Sequence, residues 1–259
     1  MPTALITGPT AGLGRAYAEA FAKRGFDLVL ASRDLTRLSA VAEELSTQYA
    51  VSCETLAGDL ADEAALRAVE KRITGGTPPI DLVINNAGYG PSRGFLTSTP
   101  EDEQHLIDVL VGAVMRLSKA AAVSMVGRRT GAIINISSLA GYAPSGTYGA
   151  AKAYVTSFTE GLAGELHGTG VRVFAVCPGY VRTEFHQRAG LTVKGLPGFM
   201  WLTIDEVVNA TLRHLDSGRN DPVLVPTLRY RVLAAGAKHL PRPLVRSVAR
   251  TIGMRERES

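Results

Sequence analysis

Two hydrophobic periods take turns along this chain, and together they predict its elements. Thr3-Ala4-Leu5-Ile6-Thr7 is a near-continuous apolar run of strand length. Between Gly12 and Lys23 the apolar positions are 13, 16, 17, 20 and 21, which share one helix face. The pair then repeats. Further strands are expected over 27–31, 52–57, 80–85, 131–137 and 171–177, with a short one over 223–225. Helices are expected over 35–49 and 63–73, from 99 onward, from the fifth strand to about residue 167, and from 203 onward. Two of them carry start signals. Thr99-Pro100-Glu101-Asp102-Glu103 provides a hydroxyl cap, a proline in the first turn and acids at the positive end of the dipole. Thr203-Ile204-Asp205-Glu206 has the spacing of a capping box.

Strands that are apolar throughout are buried on both faces, which is how a parallel sheet under helices reads. The expected fold class is therefore α/β: a single doubly wound Rossmann-type domain with a mostly parallel central sheet of about seven strands and helices on both faces. No linker or repeat divides the chain. Residues 1–227 read as the dinucleotide-binding and catalytic domain, with a substrate lid near 184–203. Residues 228–259 read as a basic amphipathic C-terminal extension of it.

Composition narrows this further. With 259 residues, 46% hydrophobic and 20% charged, the chain can bury a full core without staples. The net charge of +4 is mild and its basic residues are dispersed, so no nucleic-acid surface is indicated. Cys53 and Cys177 are far apart and lack metal-ligand spacing, so they read as reduced thiols in a cytoplasmic protein, with no metal. No charged leader with an apolar segment is expected at the start, and no uncharged apolar run is long enough to span a bilayer.

The first strand-to-helix turn is Thr7-Gly8-Pro9-Thr10-Ala11-Gly12-Leu13-Gly14. Glycines at 8, 12 and 14 permit a tight turn, and the helix N-terminus offers free N–H groups to a pyrophosphate. A packing turn without a ligand is the alternative. Such sites place an acid at the end of the second strand to bind the ribose of NAD. Here Ser32 stands in that place and Arg33 follows, which suits a 2′-phosphate and hence NADP(H) over NAD(H). Otherwise Arg33 is a solvated charge and Ser32 a strand cap. Asp59, with Leu60 beside it, either accepts from an adenine amino group or caps the next helix.

Four more stretches now matter. Asn85-Asn86-Ala87-Gly88 follows the fourth strand, and Ser137-Ser138 ends the fifth. Tyr148-Gly149-Ala150-Ala151-Lys152 and Pro178-Gly179-Tyr180-Val181-Arg182-Thr183 come later. With the glycine loop, these resemble the classical short-chain dehydrogenase/reductase family over roughly residues 3–225. The resemblance implies an oxidoreductase that moves a hydride between NADP(H) and a carbonyl or alcohol carbon. It implies catalytic roles for Ser138, Tyr148 and Lys152. It also implies cofactor contacts from Asn86, Ala87, Gly88, Pro178, Gly179, Val181 and Thr183, and assembly as a homo-dimer or homo-tetramer through the long helices.

Tyr148 and Lys152 are four apart and share a helix face. A phenol near its unperturbed value of ~10 is a poor acid-base group at neutral pH. A neighbouring ammonium and an oxidised nicotinamide ring are expected to lower it. Ser138 is expected to donate to the substrate oxygen. Two departures from the family stand out. Leu110 occupies the place of an asparagine that anchors a relay water, so a relay through backbone carbonyls and water alone is expected. The interval from Ser138 to Tyr148 is a few residues short, leaving residues 139–147 less wall to offer a substrate.

Residues 90–96, 139–147 and 185–202 are expected to bound the pocket. Phe185, Leu191, Val193, Leu196, Phe199, Met200 and Trp201 suit an apolar lid and an apolar carbonyl substrate, or else a neighbouring subunit. Arg242, Arg246 and Arg250 recur every four residues opposite Leu244, Val245, Val248, Ala249 and Ile252. That face either docks on the domain or meets an anionic membrane or acidic partner. Two other readings remain open here: a cofactor-binding regulator with impaired turnover, resting on Leu110, and an acyl-carrier-linked 3-oxoacyl reductase with Arg93, Arg128 and Arg129 as a docking patch.

Overall fold

A computed structural model describes residues 1–91, 93–185 and 197–239. The expectations for 186–196 and for the basic tail from 240 onward lie outside the described residues. Seven strands, β1 (Thr3–Thr7), β2 (Asp27–Ser32), β3 (Cys53–Ala57), β4 (Leu82–Asn85), β5 (Gly131–Ile136), β6 (Val171–Val176) and β7 (Val223–Leu224), form one sheet in the order β3-β2-β1-β4-β5-β6-β7. Every pairing is parallel. The period-two alternation divides the core. Ala4, Ile6, Leu28, Leu30, Leu82 and Ile84 face one helical layer, and Leu5, Val29, Ala31 and Val83 face the other.

The first layer contains α1 (Gly12–Ala22), α2 (Leu35–Tyr49) and α7 (Ile204–Asp216), joined by a buried bond of 2.9 Å between the Tyr17 and Thr211 hydroxyls. The second contains α3 (Glu63–Gly75) and α5 (Val114–Arg128), which bury Leu66, Val69, Ile73, Leu117 and Met125. The expected capping box of Thr203 with Glu206 forms on α7, and the expected Thr99 cap on α4 (Pro100–Ile107) proves to be a capping box too, with Asp102. Asp34 and Asp62 cap α2 and α3. The long helix expected from residue 99 is interrupted. Between α4 and α5 the chain makes a π-helical turn, Asp108–Ala113. Pro100–Arg128 is long and apolar enough to cross a membrane by length and composition, with half of its most apolar window buried inside this domain. α6 (Gly146–Glu165) follows β5, and α8 (Leu228–His239) closes the described chain. Both cysteines are free thiols.

Candidate active site

β1 and β4 are neighbours, and the strand order reverses between them. Crevices form beyond the carboxyl ends of strands at such a point, and the glycine loop emerges there. Gly8 has φ +67° and Gly12 φ +55°, a region L side chains rarely enter. A Cβ on Gly14 would stand 2.1 Å from the Gly8 carbonyl oxygen and 2.4 Å from the Asn86 amide nitrogen. Asn86 secures the turn: its side-chain amide donates to the carbonyls of Thr7 (2.9 Å) and Gly8 (3.2 Å). Thr7 Oγ1 accepts from the backbone N–H of Asn86 and of Ala87, both at 2.9 Å. Asn86 thus supports the phosphate loop. Ala11 at the N-cap of α1 makes no side-chain cap, leaving the helix's first amides to an anion, while Leu13 packs inward and Thr10 is half-buried in the same turn. The cradle fits a pyrophosphate.

At the end of β2, Ser32 and Arg33 reach the rim. Arg33 is 64% exposed, lies 3.5 Å from the Asp59 carboxylate and stands 5.9 Å over the Tyr89 ring. Asp59 does not cap α3, since Asp62 does. Instead Asp59 accepts from Ala61 N–H (3.0 Å) and meets His105 Nε2 (3.1 Å), and His105 Nδ1 meets the Tyr89 hydroxyl at 2.5 Å. Burial pushes the Asp59 carboxyl up. The Ala61 and His105 hydrogen bonds and the charges of His105 and Arg33 outweigh it and hold the group below its usual range. Leu60 turns into the second core layer. Sequence reasoning missed His105 and Tyr89, since no local pattern links positions on different elements.

α6 brings Tyr148 and Lys152 together beneath Ser138. Lys152 Nζ donates to the Ile136 carbonyl at 2.7 Å and lies 5.8 Å from the Tyr148 ring centre. Ser138 Oγ accepts from Ala140 N–H at 3.1 Å, starting the turn Leu139–Tyr142, and lies near enough to the Tyr148 phenol to favour its ionised form. The expected lowering of the phenol is not found. Burial pushes Tyr148 up to about 12, and the Ser138 bond offsets only part of that. The packed cluster of Leu106, Leu110 and Ala151 beside the ring excludes the solvent that would stabilise a phenolate. Burial also lowers Lys152 from its ordinary 10.5 to about 8.

The Lys152 shift has a measurable sign. Between about pH 8 and 10 the unfolded chain binds more protons at this lysine than the folded one, so stability rises with pH there. The cost of burying the ammonium is fully present below that interval. Wild type should gain on the order of 2 kcal/mol over Lys152→Met between pH 8 and 10. Denaturant melts with parallel pH courses for the two proteins would refute this.

Leu110 is fully buried in the π-helical turn and lines the lysine's surroundings: a Cβ on Gly88 would lie 2.8 Å from Leu110 Cδ2 and 3.9 Å from Lys152 Nζ. The backbone carbonyl that faces Lys152 Nζ is that of Ile136. After β6, the Pro178 carbonyl accepts from Leu139 N–H at 3.0 Å, and Thr183 lies 3.5 Å from where a Gly12 Cβ would stand. Val181 pairs with Leu202 as a parallel bridge. The loop carrying Pro178, Gly179, Val181 and Thr183 therefore faces both the glycine loop and the Ser138 turn. The short segment after Ser138 is pressed onto α6, where a Cβ on Gly141 would stand 2.7 Å from Ala153 N. A cleft of about 480 Å3 opens beside Thr147, bounded by Phe95, Pro100, Glu103 and Ile107. The Phe185 ring lies 5.8 Å from that of Tyr148, tilted at 51° to it.

Arg128 and Arg129 are not near this mouth. Arg128 bonds Asp81 and the Ile80 carbonyl ahead of β4, and Arg129 precedes β5, so both lie at the amino ends of the strands. The docking patch drawn from them is not assembled.

A family model described as short chain dehydrogenase matches residues 2–193. Sulfoacetaldehyde reductase 2 of Chromohalobacter salexigens is 37% identical over 186 residues, 70% of this chain and 73% of its own. Serine 3-dehydrogenase of Rhizobium radiobacter is 33% identical over 187 residues, 71% of this chain and 73% of its own. Among solved structures, a short-chain dehydrogenase from Sphingobium yanoikuyae in complex with NADPH is 41% identical, with TM-score 0.83 over 92% of this chain and 94% of that one. The bulky-bulky ketone specific alcohol dehydrogenase of Comamonas testosteroni is 33% identical, with TM-score 0.79 over 92% of each.

Proposed function

The chain belongs to the short-chain dehydrogenase family, as an oxidoreductase of alcohol and carbonyl groups, and from that premise we propose that it is an NADP(H)-dependent reductase of apolar, bulky ketones. The observation that carries the reading is the meeting of Ser138, Tyr148 and Lys152 beside the Gly8–Gly14 cradle. Bound NADPH would supply a hydride to the carbonyl carbon. Ser138 Oγ orients the carbonyl oxygen, and the Tyr148 hydroxyl gives its proton to it. A phenol raised by burial is protonated at neutral pH, the form reduction needs. Lys152 then stabilises the phenolate left behind. Phe95, Ile107 and Phe185 give the substrate side apolar walls. The likeness to a ketone-specific enzyme supports that substrate class. The enzymatic relatives favour turnover over a regulator's role.

Arg33 supports the choice of NADPH, since its exposed guanidinium ends β2 where a ribose acid would exclude a 2′-phosphate. Arg33→Ala should raise the KM for NADPH about ten- to hundredfold and leave that for NADH within about twofold, since a charge-assisted bond is worth about 1.5–3 kcal/mol. Equal effects on both cofactors would defeat the NADPH preference while leaving the ketone reductase intact.

A further inference from the structure

α8 begins beyond residue 193, where the family match ends, yet its first turn reaches the cofactor loop. Tyr230 is 3% exposed. Its ring lies flat against Gly179: a Cβ there would stand 2.1 Å from Tyr230 Cζ, so no larger residue fits beneath it. Its hydroxyl accepts from Tyr180 N–H at 3.2 Å and donates to the Met200 carbonyl at 2.5 Å. These partners lie on two different segments. Tyr180 belongs to the loop after β6, and Met200 ends the short turn Gly198–Met200 on the far side of the expected lid.

The two segments are already paired. Leu202 N–H donates to the Tyr180 carbonyl at 2.7 Å, and Arg182 N–H to the Leu202 carbonyl at 2.9 Å. Arg182 stands 5.7 Å over the Trp201 ring. The neighbouring Arg229 adds bonds to Glu206 at 3.1 Å and to the Trp201 carbonyl. One phenol thus closes the end of a small ladder that joins the cofactor loop to the lid's anchor.

We propose that Tyr230 is a positioning residue: through one hydroxyl it holds the cofactor loop and the lid anchor in register, making α8 part of the active-site assembly. This rests on the cofactor role given above to residues 178–183. Without the hydroxyl, the Tyr180 amide and the Met200 carbonyl lose their shared partner, and cofactor binding must supply more of the loop's ordering.

Tyr230→Phe tests the proposal, because it keeps the ring on Gly179 and removes only the hydroxyl. NADPH affinity, read from Trp201 (the chain's single tryptophan) or by calorimetry, should weaken about tenfold. The KM for ketone should rise severalfold, with kcat within about threefold of wild type and the melting temperature little changed. Val232→Ser, an exposed change on the same helix, should alter none of these. Wild-type affinity in the Phe variant would overturn the proposal, as would a weakening seen only together with a large drop in melting temperature. Amide exchange in the wild type tests it without a variant: the Tyr180 N–H should be protected, and exchange at the rate of an open peptide would also overturn it. A wild type that binds NADPH but reduces no ketone would count against the reductase reading alone.

Discussion

Tyr148→Phe is expected to lower kcat by about a thousandfold, within the ~100- to 10,000-fold range of general acid-base help, and to leave NADPH affinity within about threefold. The ring would keep its packing beside Leu110, Ala151 and Phe185, so the fold should be spared. What is lost is the hydroxyl beside Ser138, the group proposed above to deliver a proton to the ketone oxygen. Lys152 cannot replace it, since its ammonium is turned to the Ile136 carbonyl and lies 5.8 Å from the ring centre. Steady-state rates with both substrates saturating, beside calorimetric titration of NADPH, check both halves. A variant keeping more than a tenth of wild-type kcat would show that the proton comes from elsewhere.

Gly14→Ala should abolish NADPH binding at concentrations that saturate the wild type. The added carbon would stand 2.1 Å from the Gly8 carbonyl oxygen and 2.4 Å from the Asn86 amide, so backbone must move. Asn86 holds the carbonyls of Thr7 and Gly8, and displacing it releases the turn that presents the α1 amides. Overpacking of this kind costs about 1–3 kcal/mol where side chains can yield, and here backbone is the obstacle. A fall of several degrees in melting temperature should accompany the loss of binding. Gly75→Ala is the control, because nothing lies within 4 Å of its added carbon. A Gly14→Ala protein that titrates NADPH like the wild type would refute the cradle.

The central strands were legible because they are buried on both faces, which makes a run such as 3–7 almost wholly apolar. The Thr203 capping box was legible because three-residue spacing to Glu206 settles it, while Thr99 was read only as a cap because its box closes through Asp102 rather than a glutamate. Asp59 was harder. Two acids three apart, Asp59 and Asp62, both precede the helix, and only the observed start at Glu63 assigns the cap to Asp62. The π-helical turn at Asp108–Ala113 leaves the apolar period almost intact, so one long helix was the natural reading. The Asp59–His105–Tyr89 contacts and the Tyr230 bonds join residues far apart in sequence, with no periodic trace. The direction of the Tyr148 shift escaped for another reason. Spacing places Lys152 one turn away, but how far packing excludes water there depends on Leu106, Leu110 and Ala151 folding together.

The proposed reaction moves a hydride from NADPH to a ketone carbon while Tyr148 protonates the oxygen. NADPH carrying deuterium at the transferred position of C4, each face in turn, should be mixed with a bulky aromatic ketone and the product alcohol analysed by mass spectrometry and NMR. One deuterium is expected on the carbinol carbon from one face only, forming about a thousandfold more slowly with Tyr148→Phe. NADPH consumed without deuterium in the alcohol, or equal label from both faces, would contradict it.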